Sequence, residues 1–77
     1  MNKDRRERLK STLDALEAAF DELDCIQEEE EAALDNLPEN LRESERASQM
    51  ENNIEEIQDA VSDMREAYDR LEGLLED

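Results

Sequence analysis

Residues 47–75 read ASQMENNIEEIQDAVSDMREAYDRLEGLL, and the apolar side chains within them decide the fold. Ala47, Met50, Ile54, Ile57, Val61, Met64, Tyr68, Leu71 and Leu75 follow one another in steps of three and four without a break. That spacing keeps every one of them on a single helical face, as in a coiled coil. The first half of the chain repeats the pattern. Leu9, Leu13, Leu16, Phe20, Leu23, Leu34 and Leu37 hold the same steps, with Gln27 and Glu30 in the two seam positions between. No β-branched alternation occurs, so strand signals are absent.

Between the two stripes lies Pro38, the chain's one proline. Proline breaks a helix interior but is tolerated in a first turn, so the chain reads as two helices joined near it. The expectation is one all-α domain over residues 1–77. It has a helix over about 4–36, a turn over about 37–43 and a helix over about 44–76. Asp4 with Glu7 forms a candidate capping box for the first helix; Asn40 with Glu43, or Ser44, starts the second. The segment 38–43 can itself be a helical turn. Folded back, the stripes match end to end, with Leu9 near Leu75, Phe20 near Met64, Leu23 near Val61 and Leu37 near Ala47. Each helix is then roughly 50 Å long. The fold is a long, thin antiparallel hairpin.

A seam two columns wide suits two helices, and a wider apolar face asks for more neighbours. Here a third column stands beside each seam: Ala19, Ile26 and Ala33 on the first helix, Ala60, Ala67 and Leu74 on the second. The expected assembly is therefore a homodimer, most simply an antiparallel four-helix bundle, or else a hairpin completed by a partner. Its expected interface residues are Phe20, Leu23, Ile26, Ile54, Ile57, Val61 and Met64. Ser11, Ala18, Cys25 and Ala32 recur every seven residues away from the seam; small residues in register allow a second docking face, and good helix formers on an exposed face are the simpler account.

Charge narrows the partners. The net charge is −16 over 77 residues. Residues 1–10 carry five basic and two acidic groups, and residues 11–77 carry four basic and twenty-three acidic groups. Such a chain repels phosphate, so neither nucleic acid nor an anionic membrane is an expected direct partner. Basic proteins are, and nucleic-acid-binding proteins are the commonest of these. Between Lys10 and Arg42 there is no basic residue at all. Ordinary surface helices mix Glu with Lys in stabilising pairs, and here those pairs are given up for charge. The candidate partner-facing acids are Asp21, the run Glu28, Glu29, Glu30 and Glu31, and the row Glu55, Glu56, Asp59, Asp63 and Glu66. The alternative role for these carboxylates is a solvated, solubilising face on a structural homo-oligomer.

Chemistry is mostly excluded. No histidine is present, which removes the commonest general base and metal ligand together. One glycine forbids a glycine-rich phosphate loop. Cys25 has no basic neighbour in sequence to form a thiolate, and as a lone cysteine it excludes an internal disulfide. Glu28 with Glu31, and Glu56 with Asp59, share the spacing of the magnesium-binding pairs of all-α nucleotide pyrophosphohydrolases. With twenty-five acids in 77 residues such matches are nearly guaranteed. An EF-hand at Asp21 and Asp24 lacks its central glycine and ligand spacing. The expectation is a protein with no catalytic residues, no metal site and no cofactor. No signal peptide or membrane-spanning run is evident, and the default location is the cytoplasm.

The turn DNLPENLRESER, residues 35–46, resembles the linker of small acidic helical-hairpin proteins encoded by phages and mobile elements of gut bacteria. The resemblance covers these twelve residues and the helix–turn–helix layout. It implies an accessory or counter-defence role and carries over no site residues.

Overall fold

The structure, a computed structural model, describes residues 1–76; Asp77, the last residue of the expected domain, lies outside them. Two antiparallel helices, α1 (Lys3–Asp35) and α2 (Glu45–Glu72), make an all-α hairpin. Its extents are 59 × 16 × 13 Å. Short 3-10 turns at Glu39–Leu41 and Gly73–Leu75 complete the helical content, and no strand occurs among the described residues.

The ends of the helices differ in detail from the sequence expectation. α1 begins one residue earlier because Asn2, not Asp4, is its N-cap. Asn2 has extended backbone, and its side-chain oxygen accepts from the Arg5 N–H at 2.9 Å. Asp4 falls inside the first turn and pairs instead with Arg8 at 3.7 Å. At the other junction Ser44 is the N-cap, accepting from the Ala47 N–H, so Asn40 does not start α2. Asn40 lies within the 3-10 turn that Pro38 opens, and Leu41 N–H donates to the Pro38 carbonyl at 2.8 Å. α2 ends at Glu72, short of residue 76, because glycine is a poor helix former and Gly73 tightens the chain into a 3-10 turn. The carbonyl of Leu75 then accepts from Arg6 at 3.1 Å, tying the end of α2 to the start of α1.

Packing follows the two stripes. Leu13, Phe20, Ala47, Met50 and Val61 are buried; Leu9, Leu16, Leu23, Leu34, Leu37, Ile54, Ile57, Met64, Tyr68 and Leu75 are partly buried. Leu71 alone of the seam leucines is exposed. The cross-helix pairs Glu17–Tyr68, Asp24–Arg65 and Glu30–Asn53 place the register within a turn of the expected one. Phe20 meets Tyr68 edge-on, with ring centroids 5.9 Å apart. No described helix is long and apolar enough to cross a membrane.

Candidate acidic interaction surface

In an antiparallel helix pair each seam is bordered by one flanking column per helix on either edge, so the hairpin has two edges. On the first, α1 contributes Lys10, Glu17, Asp24 and Glu31, and α2 contributes Glu51, Gln58, Arg65 and Glu72. On the second, α1 contributes Arg5, Thr12, Ala19, Ile26 and Ala33, and α2 contributes Arg46, Asn53, Ala60, Ala67 and Leu74. Shallow grooves mark the two edges. Glu17, Phe20, Asp21, Arg65, Tyr68 and Asp69 line one on the first edge, and Glu31, Leu34, Asp35, Glu51, Ile54 and Glu55 line another with Gln58. On the second edge Thr12 and Leu74 share a groove with Leu9, and Ile26 shares one with Asn53 and Ile57.

The first edge is an acid surface built by both helices. At its centre is an aromatic cluster. The Tyr68 hydroxyl donates to a Glu17 carboxylate oxygen, which pushes the Tyr68 pKa up from 10.0 to about 12; partial desolvation and the charges of Glu17, Glu72 and Asp14 add to the effect. The Arg65 guanidinium lies 4.9 Å from the Phe20 ring centroid and reaches Asp24 at 3.2 Å. Both partners of that ion pair are about half exposed, so it orients Arg65 more than it stabilises the fold. Asp21 and Asp69 remain on the groove rim.

The Glu28–Glu31 run does not form one patch. Successive helical residues turn by about 100°, which sends four consecutive carboxylates around the helix. Glu31 lines the first edge and accepts from Gln27 at 3.4 Å. Glu30 sits at the seam, partly buried, and accepts from Asn53 Nδ2 at 2.8 Å. Glu29 borders the second edge beside Ile26, and Glu28 is exposed on the outer side of α1. At the seam's polar interruption an amide on α2 thus meets the carboxylate in an exposed hydrogen bond. No polar or charged side chain is buried among the described residues.

Of the expected partner-facing acids, Asp21 lines one groove of the first edge, and Glu31 and Glu55 line the other. Glu56, Asp59, Asp63 and Glu66 are exposed on the outward side of α2. Glu17, Glu51 and Asp69 belong to the surface although the sequence reading did not count them. Each directly follows or neighbours a seam residue, and that position becomes informative once the cross-helix register is known. Of the expected interface residues, Phe20 and Val61 are buried in the hairpin's own seam; Leu23, Ile54, Ile57 and Met64 are partly buried, and Ile26 is exposed. Cys25 is exposed among acids. Its thiol pKa is raised, first by crowding that keeps water away and then by Glu22, Glu28, Glu29 and Asp21. That environment opposes a reactive thiolate. Among the described residues, no three carboxylates or thiols gather as a group able to hold a metal ion.

No protein-family model, curated protein or solved structure matches the chain.

Proposed function

We propose that the protein is a non-catalytic acidic binding module that engages the basic surface of a nucleic-acid-binding protein and competes there with the phosphate backbone. The observation that carries this reading is the division of charge between the two edges. Glu17, Asp24 and Glu31 on α1 and Glu51 and Glu72 on α2 hold flanking positions of one edge, whereas none of the ten flanking positions of the other is acidic. Beyond those positions Asp21, Asp35, Glu55 and Asp69 line the grooves of the first edge, and Glu29 and Glu30 line one on the second. Carboxylates gathered on one face of a rigid rod offer lysines and arginines the neutralisation that phosphates otherwise supply. The reading places the protein in the cytoplasm, with neither nucleic acid nor membrane as a direct partner. The turn's resemblance to linkers of phage and mobile-element proteins suits an accessory inhibitor.

The exposed apolar residues Ile26 and Leu74 support the second part of the proposal, a homodimeric four-helix bundle. A structural oligomer without mimicry is the rival reading, and it predicts that the protein captures nothing but itself.

The test is capture from host lysate followed by salt elution. Replacing Glu17, Asp21, Glu31, Glu55 and Asp69 by their amides is expected to abolish capture of a basic nucleic-acid-binding protein. The same change at Glu56, Asp59, Asp63 and Glu66 is expected to preserve it. Equal loss from both sets would show general charge attraction, and no capture by the unaltered protein would leave the structural oligomer.

A further inference from the structure

We infer that the second edge, whose ten flanking positions hold no acid, is the contact face between two copies of the chain, packed with their turns at opposite ends. The inference rests on the homodimer reading and supplies its face and symmetry.

The face is apolar and open in the single hairpin. Ile26 is 42 % exposed and, towards the open end, Leu74 is 48 % and Leu71 37 % exposed. Leu16, Leu23, Ile57 and Met64, on the seam columns nearest this edge, are only partly covered. A second copy could cover them all. The hairpin's 59 × 16 Å outline bounds this face at roughly 900 Å², large enough to contain a standard stable interface of about 800 Å² per partner.

Charge selects the second copy's approach. Two chains of −16 repel wherever carboxylates come within about 10 Å of each other. The ten positions flanking this edge hold no acid and include Arg5 and Arg46, so here two copies meet with least repulsion. The outer sides and the first edge all carry carboxylates.

Charge also selects the orientation. The turn half of the hairpin, residues 22–61, holds two basic and fourteen acidic side chains, a net of −12. The open half, residues 1–21 and 62–77, holds seven basic and eleven acidic ones, a net of −4. Turns at the same end stack the two −12 halves. Turns at opposite ends set each −12 half against a −4 half, and lay residues 1–10, net +3, along the region of the partner's Glu28–Glu31 run. Glu29 and Glu30 are the acids that line the groove on this edge. They lie in the turn half, and Arg5 and Arg8, which line the groove at its other end, lie in the open half. The antiparallel arrangement brings these two groups into the same region. The seam interruption at Glu30 then has a reason: it gives the second copy's cations an anion to meet.

Sedimentation equilibrium and a pulsed dipolar distance measurement test the inference together. A nitroxide is placed in the turn as Asn40→Cys, in a Cys25→Ser background. The expected result is a dimer whose two labels are far apart, approaching the 59 Å length of the hairpin. A dimer with labels about 20 Å apart, two helix diameters, would have its turns together. That outcome overturns the orientation and leaves the homodimer reading standing. A helical monomer at all accessible concentrations overturns both. The face is tested separately. Ile26→Glu is expected to weaken dimerisation ~30-fold or more, as at an interface hot spot, while Ala18→Glu on the outer side of α1 changes it less than about threefold. Equal effects of the two variants would overturn the choice of face.

Discussion

Replacing the polar seam residues Gln27 and Glu30 together by leucine is expected to stabilise the hairpin by about 1 kcal/mol. Both positions are partly buried, and both belong to the stripe that is otherwise apolar in α1. A fully buried leucine contributes roughly 1.5–3 kcal/mol, so two half-covered ones contribute about 2 kcal/mol together. Against this stand two lost contacts within the hairpin, and between copies any exposed pairing of Glu30 with a cation, which contributes only a few tenths of a kcal/mol. The Asn53–Glu30 hydrogen bond is exposed at 2.8 Å and, like an exposed ion pair, is worth under ~1 kcal/mol. The Gln27–Glu31 contact is long, 3.4 Å, and spans one helical turn, so it contributes only a few tenths. For a chain of this length, 1 kcal/mol raises the melting temperature by roughly 4–8 °C. Thermal unfolding followed by far-ultraviolet circular dichroism, at one protein concentration and one salt concentration, measures the shift. An unchanged or lower melting temperature would refute the reasoning, because the amide contacts would then outweigh apolar burial in the seam.

Two further outcomes follow from the charge distribution. Like charges three and four residues apart repel by a few tenths of a kcal/mol per pair, so raising salt should raise the melting temperature; a fall with salt would contradict this. Tyr68 carries a pKa raised from 10.0 to about 12 by its hydrogen bond to Glu17, so the fold favours the protonated phenol. Its contribution is fully present below pH 10 and is lost as pH rises through about 12. Alkaline unfolding of Tyr68→Phe should lack the component of the pH dependence in that window, and identical profiles for the two proteins would remove the assignment.

The hairpin was legible because its signal is redundant. Nine seam positions in each half share one period, and in the first half every one from Leu9 to Leu37 is buried or partly buried. Pro38 adds the break between them. Helix ends carry no such redundancy: Asn2 and Asp4 are both short polar residues suited to capping, and only the extended backbone at Asn2 separates them. The acidic surface was harder to read for a different reason. A run such as Glu28–Glu31 is conspicuous along the chain, yet a helix disperses it around its axis. Residues distant in sequence, such as Glu17 and Asp69, share a groove only when the second helix is laid against the first. Period fixes which face of each helix is apolar, whereas register fixes which acids become neighbours.

The uneven placement of the acids argues more than their number does. Roughly a third of the residues are carboxylates, so about three of the ten positions flanking the second edge would be acidic in an arrangement indifferent to the two edges. None is. A surface acidified only for solubility needs no such exclusion, since a scattered charge does that work on any exposed position. The exclusion is what a surface reserved for contact requires, because a carboxylate carried into an interface must leave water or find a cation. The two edges then depend on each other. Covering the second edge with a second copy leaves the first edge, with Tyr68 packed on the buried Phe20 and its rim of carboxylates, on the outside of the assembly. It also doubles that surface, so that a basic partner with two sites, or a dimeric one, is held at both. Breaking the dimer with Ile26→Glu should therefore weaken capture of such a partner although Ile26 lies on the edge that partner does not touch. Capture unaffected by the loss of dimerisation would separate the two edges and leave the acid surface working one copy at a time.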